Sequence, residues 1–391
     1  MSSFRVLTLA FSFVLAATLV ADCVGWIGVL PPVRYPSSAD KAVLVRDLDG
    51  DAAPEIIASG NHVDQLSAFS ILPNRGDGTF APERLLPSGF GEEIRAIEDL
   101  NRDGAPELLV SNFWANGIVV YLGRGALQFD GGTPYGTATH GGPSLIVDYD
   151  RDGKPDVLSL SFGSGNPVRL HLFPGRGDGT LGTKTTFETG LANGNWPSTR
   201  TINGALELLI SEHSGHLGLL RYANGTVAVS TIAAGPATDL SSTFADVNGD
   251  GIADIIDTND FDPSVENPNE PVFVTLGNAD ATFQTRKQLT ASRKTELPVA
   301  VRAADVTGDG HADLLVCDFH SSNIYLFRGN GAGDFREGVP IDAGGPVNAF
   351  DLGDLNADGF PDVVTANDDH TVSVVINRGV CRPSRRHAVR H

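Results

Sequence analysis

Apolar, β-branched runs alternate with polar turns along this 391-residue chain, and the same order of runs returns about every 50 residues. One strand-like run leads in, such as AVLV before Asp47 or AVRAA before Asp305. A second follows an acidic stretch, as in IIASG, LLVSN, VLSLS and the ADLLVCD that starts at Ala312. A third alternates apolar and polar positions, as in NIYLFRG from Asn323 and TVSVVINRG from Thr371. Gly-rich turns such as GDGTF ending at Phe80, GDGTL at Leu181 and GAGDF at Phe335 then lead to a fourth run. Four short strands per repeat, arranged radially, describe a β-propeller blade; solenoid repeats are usually shorter.

The acidic stretch between the first two strands has a constant form. It reads DLDGDAAPE from Asp47, DLNRDGAPE from Asp99, DYDRDGKPD from Asp148, DVNGDGIAD from Asp246, DVTGDGHAD from Asp305 and DLNADGFPD from Asp354. TRTINGALE, entered at Thr199, occupies the fourth of the seven places.

Calcium takes about 6–8 oxygen ligands, so a loop that binds it must converge several carboxylates. Positions 1, 3, 5 and 9 and the carbonyl of position 7 can do so if the chain turns sharply at position 6, where glycine is common. The expected ligands are Asp47, Asp49, Asp51, Ala53 and Glu55 in the first cassette, and Asp99, Asn101, Asp103, Ala105 and Glu107 in the second. In the third they are Asp148, Asp150, Asp152, Lys154 and Asp156, and in the fifth Asp246, Asn248, Asp250, Ile252 and Asp254. The sixth offers Asp305, Thr307, Asp309, His311 and Asp313, and the seventh Asp354, Asn356, Asp358, Phe360 and Asp362. An EF-hand would need a Glu at position 12, where Ala58, Val110 or Ser159 stands, and helices on both sides. A metal-free acidic turn would leave these carboxylates repelling one another six times over. Thr199, Thr201 and Asn203 stand where acids should be in the fourth cassette, leaving Glu207, so blade four is expected to be metal-free.

On these cassettes and the strand after each, the chain over residues 27 to 379 resembles the FG-GAP/VCBS repeat family, the propellers of integrin α-subunit heads and many secreted bacterial proteins. The resemblance implies that positions 1, 3, 5 and 9 and the carbonyl at 7 hold calcium in the loop between strands one and two. Departures are Thr307, Ala52 at position 6 of the first cassette, and the whole fourth cassette.

The ends of the array predict closure. Only two strands follow the last cassette, whereas a spare strand lies in Gly28 to Tyr35, ahead of the first inner strand. Lending it to the last blade gives an all-β, seven-bladed propeller of four-stranded blades with no open edge. Residues 1–21 read as a secretory signal peptide, with Arg5 and an apolar stretch from Val6 to Val20. Residues 22–379 form the propeller and 380–391 a basic, disordered tail. Lipoprotein anchoring at Cys23 is the minor alternative, disfavoured by Asp22 before it. Cys23 and Cys381 flank the array and would pair if its ends meet; Cys317, within an apolar run, reads as buried.

The formal net charge is −20, and the cassettes hold 21 of the 48 acidic residues, so much of the acidity is ligand rather than surface field. No basic stripe exists to meet nucleic acid. Two Arg-Gly-Asp tripeptides, Arg75-Gly76-Asp77 and Arg176-Gly177-Asp178, sit in equivalent hairpin turns and read as turn chemistry. Fifteen residues after each cassette start stand His62, Trp114, Gly163, Ser214, Phe261, His320 and Asp369, with His213, His216 and His370 one or two places away. These loops would ring the face opposite the calcium loops and bind a ligand by aromatic stacking and hydrogen bonds. The longest of them, Asp257 to Pro271, would overhang that rim. No G-x-S-x-G elbow, HExxH or Cys-His pair is present. The expected protein is therefore a secreted, monomeric binding or adhesion module for a carbohydrate or protein ligand, holding about six calcium ions and having no transmembrane segment when mature. A polysaccharide-directed lyase or hydrolase with its site at the channel mouth is the alternative.

Overall fold

The computed structural model describes residues 22–24, 27–60, 68–112, 114–137, 140–163, 166–191, 194–212, 216–234, 239–259, 272–289, 298–318, 321–336 and 338–380. Regular structure among the described residues is strand, and no helix there is long and apolar enough to cross a membrane. Seven four-stranded antiparallel sheets form the blades of a β-propeller. Blade one runs outward through Ala42–Arg46, Glu55–Ser59, Ala68–Leu72 and Arg84–Pro87. Blades two to six repeat that order from inner strands Glu92–Glu98, Gly141–Val147, Gly194–Ile202, Asp239–Ala245 and Pro298–Ala304.

The second strand of each blade explains its apolar run. Glu55–Ser59 and Glu107–Asn112 are buried at every position, because both faces of a blade pack against neighbouring blades. Apolar clusters lie between successive blades all round the ring. Between blades one and two, for example, Ile57 and Phe69 meet Ile94 and Leu108. Leu158 and Leu170 meet Leu208 and Ile210 between blades three and four. Buried Cys317 packs between blades six and seven beside Val347 and Phe350. Among the described residues the smallest buried apolar cluster lies between blades four and five, with Leu209, Leu217 and Ile255 as its members and Ile232, Phe244 and Phe283 packed against it.

The ring closes as the sequence predicts, with finer bounds. Val33–Pro36 is the outer strand of blade seven and pairs with Thr371–Val375. Ile27–Val29 does something else: it pairs with Asn377–Val380, a third strand after the last cassette, and with Asp22–Val24 in a small separate sheet. Ile27–Val29 therefore separates the strand carrying Cys23 from Asn377–Val380; Val380, expected to open the disordered tail, instead pairs with Ile27, whereas residues 381–391 and 1–21 lie outside the described residues.

Candidate metal loops and the opposite rim

Chain direction separates two faces. Loops from first to second strand, and from third to fourth, lie on one face; loops from second to third strand, and from each blade to the next, lie on the other.

On the first face the six acidic cassettes share one construction. The position 1 aspartate folds the loop over itself: Asp47 accepts the amides of Gly50 at 2.7 Å and Ala52 at 2.9 Å, and Asp246 those of Gly249 at 2.7 Å and Gly251 at 2.8 Å. Position 5 accepts the amide of position 7, as Asp51 does from Ala53 and Asp358 from Phe360. Positions 4 and 6 both adopt left-handed backbone, so the glycine requirement noticed at position 6 applies twice. Arg102, Arg151 and Ala357 adopt it at position 4 and Ala52 at position 6, with φ between 57° and 69°.

Position 9 has a role that the sequence did not announce. Asp156 is fully buried and accepts the Tyr149 amide at 3.0 Å and the Gly175 amide at 2.7 Å. Glu55 is bound in the same way by Leu48 and Asn74, Asp254 by Val247 and Gly277, Asp313 by Val306 and Gly329, and Asp362 by Leu355 and Asn377. Each carboxylate thus ties the cassette to the end of the blade's third strand. Burial pushes Glu55, Glu107 and Asp362 up to about 7 and Asp156 to about 6, with the other cassette acids adding to the rise. A bound cation would remove that penalty.

Two cassettes bring three carboxylates together. Oxygens of Asp47, Asp49 and Glu55 lie within 4.8 Å of one another, as do those of Asp148, Asp150 and Asp156. Asp51 and Asp152 are not in these groups; Asp152 meets Lys154 Nζ at 2.6 Å. In the second, fifth and seventh cassettes the position 3 amide donates to position 5, from Asn101 to Asp103, Asn248 to Asp250 and Asn356 to Asp358. In the sixth, Arg328 clasps Asp309 through Nε at 3.0 Å and Nη2 at 2.7 Å, holding it below the ordinary carboxylate range despite burial. The donor sets therefore suit a hard divalent cation best in cassettes one and three.

The fourth place carries no loop of this kind. Arg46 pairs with Glu55 across blade one, and Arg200 pairs with Glu207 at the equivalent level of blade four. From there the strands run on through Ile202 and Ala205 and close on Asn203 and Gly204, with φ of 47° and 79°, a two-residue hairpin turn. Arg200 holds Glu207 at 2.8 Å, reaches the Ala253 carbonyl of blade five at 2.7 Å, and lies over Phe283 at 4.2 Å. Arg221 meets the other Glu207 oxygen at 3.1 Å. Guanidinium groups here occupy the role that backbone amides play at the other position 9 acids.

The Arg-Gly-Asp tripeptides form hairpin turns in which Asp77 and Asp178 accept the amides and hydroxyls of Thr79 and Thr180. Of the residues expected on the opposite face, His62, His213, Ser214, Phe261, His320 and most of the Asp257 to Pro271 loop lie outside the described residues. Trp114 is exposed there, His216 begins the third strand of blade four, and His370 turns between the second and third strands of blade seven with φ of 57° and a buried Nδ1 lacking a hydrogen-bond partner. Sequence reasoning missed Phe90, which stands beside Trp114. Inner strands of all seven blades line a channel of about 550 Å³, with Arg95, Ser198, Arg302 and Asn348 among its lining residues. Ser161 meets His171 Nε2 at 2.7 Å, but both are fully buried and burial lowers the histidine to about 4, so the pair ties strands together rather than presenting a nucleophile.

The family model of the FG-GAP-like repeat matches residues 99–159 and 305–365, each a span from the cassette of one blade to the second strand of the next. No curated protein matches the sequence. Among solved structures, the chain is similar to an Agrocybe aegerita lectin described as specifically recognising non-reducing terminal N-acetylglucosamine, with TM-score 0.56 and 18% identity over 78% of this chain and 81% of that one. BBS1N in complex with ARL6DN, soaked with lead, gives TM-score 0.61 and 13% identity over 90% and 96%. The WD40 domain of Toxoplasma gondii coronin gives TM-score 0.55 and 12% identity over 93% and 90%. At these identities the likeness concerns the propeller fold.

Proposed function

Because this chain is a seven-bladed β-propeller with FG-GAP-like repeats, we propose that it is a secreted, calcium-stabilised module that binds an extracellular carbohydrate or protein ligand on the rim opposite its cassettes. The observation that carries the calcium half is the convergence of Asp47, Asp49 and Glu55, and of Asp148, Asp150 and Asp156, around buried position 9 carboxylates. Calcium would supply positive charge at those points; the chain's own residues fold the loop and hold the blade strands in register. The apolar leader in residues 1–21 supports export to where millimolar calcium is available. The lectin among similar propellers supports carbohydrate as a ligand class. Binding without turnover, by a monomer, completes the reading.

The test is thermal melting of the purified chain in millimolar calcium and in excess chelator. Ions that bind only the folded ring must raise its midpoint. An unchanged midpoint, with removal of metal verified, refutes calcium stabilisation.

A further inference from the structure

Phe90, 75% exposed, and Trp114, 64% exposed, are the most exposed large apolar side chains among the described residues, and they are neighbours. Their ring centroids lie 6.5 Å apart with planes 35° from parallel. Phe90 sits in the loop entering blade two and Trp114 in the loop between that blade's second and third strands. Both loops belong to the face opposite the cassettes.

A buried polar scaffold fixes the pair. Glu92, 9% exposed, accepts the Gly89 amide at 2.8 Å, the Tyr121 hydroxyl at 2.5 Å and the Asn112 side-chain amide at 3.4 Å. Asn112, 5% exposed, accepts the Ala115 amide through Oδ1 at 2.7 Å. One carboxylate–amide link thus organises both loops. Between them Gly91 has φ of +73°, and a Cβ there would meet the Trp114 indole at 2.2 Å, so glycine lets the indole lie against the backbone. Two aromatic rings are held ready in water.

We propose that Phe90 and Trp114 form a stacking platform for a neutral pyranose ring of a glycan; this rests on the binding-module reading above and adds its ligand class. A sugar's C–H face is apolar while its edges stay hydrated, and it matches an exposed aromatic face. Two aromatic side chains offer about 150–250 Å² each, well below the roughly 800 Å² per partner of a stable protein interface. Six bound calcium ions would bring the formal charge from −20 to −8, which still disfavours polyanions.

The test uses the full secreted chain in calcium, titrated with neutral hexaoses of glucose, mannose and N-acetylglucosamine and with polygalacturonate, read by tryptophan emission and calorimetry. At least one neutral hexaose binds, and Trp114→Ala and Gly91→Ala each weaken it about tenfold. The Gly91 variant keeps both rings and displaces the indole, so its loss reports positioning. No binding by any neutral hexaose, affinity unchanged in Trp114→Ala, or preference for polygalacturonate overturns the proposal. Melts of the same preparations in calcium and chelator separate the two readings: a calcium-stabilised chain that binds no neutral hexaose refutes the glycan platform alone.

Discussion

Arg200 and Glu207 face each other at 2.8 Å across the fourth hairpin, both almost wholly buried, where every other blade carries an acidic loop. An internal cation has been built in at the one place that lacks the carboxylates to hold an external one. Arg200 also crosses to the Ala253 carbonyl of blade five, where the buried apolar cluster between blades is smallest among the described residues.

Removing one partner should therefore cost far more than removing both. Arg200→Met leaves a buried carboxylate with Arg221 alone and is expected to destabilise the ring by about 3 kcal/mol. Adding Glu207→Leu should recover most of that loss. Denaturant melts of the two variants check this, and a double variant no more stable than the single one contradicts it.

The raised position 9 acids set a pH dependence for the metal-free protein. Burial lifts Glu55 and Glu107 from 4.5 to about 7, and Asp362 from 3.8 to about 7. The native state then holds protons that the unfolded chain has released, so their contribution is fully present below the unfolded values and is lost as pH rises toward 7. With excess chelator the midpoint should fall between pH 5.5 and 7.5, and calcium should cancel or reverse the trend. A metal-free midpoint that climbs over that window contradicts the assignment.

Ala52 adopts φ of 69° at position 6, where the other acidic cassettes have glycine. Ala52→Gly should relieve strain and stabilise the chain by about 1 kcal/mol. Thermal melts of this variant in chelator would show a rise of a few degrees, and a lower midpoint would mean that the loop tolerates alanine there at no cost.

Arg328 holds Asp309 in the sixth cassette and would compete with a cation for it. Metal analysis of the calcium-loaded protein should approach about six ions at saturation, with the sixth cassette filling last. Arg328→Gln should let it fill at lower calcium. Calorimetric titration would reveal this as a shift of the weakest binding phase; no change would mean that the guanidinium and an ion do not compete.

The acidic cassettes could be read from the chain because their acids are close in sequence and repeat at fixed positions. The second role of position 9 could not, since the amides that Asp156 and Asp362 accept come partly from Gly175 and Asn377, beyond the intervening strands. Arg200 was hidden by register: aligning TRTINGALE with the cassettes puts it beside the first ligand position, whereas the hairpin puts it opposite Glu207. Counting strands placed a closing strand within Gly28 to Tyr35, but not its division into Ile27–Val29 and Val33–Pro36, because these pieces and Asn377–Val380 are too short for periodicity to reveal their pairing. Phe90 escaped notice because the fifteen-residue count reaches only loops between second and third strands, and its loop joins two blades.

The seam at Val33–Pro36 also orders events during synthesis. Arg34 of that strand bonds to Asp369, 335 residues later, so the closing strand waits for the last blade. Interfaces between successive blades can form as each blade emerges, but the one joining blades seven and one cannot. Until then Val43, Ile56 and Phe80 lack the Val364 and Val374 surface that covers them in the finished ring. A stalled or prematurely stopped chain would thus present an unpaired strand and an uncovered apolar face together, until Thr371–Val375 has left the ribosome and paired with Val33–Pro36.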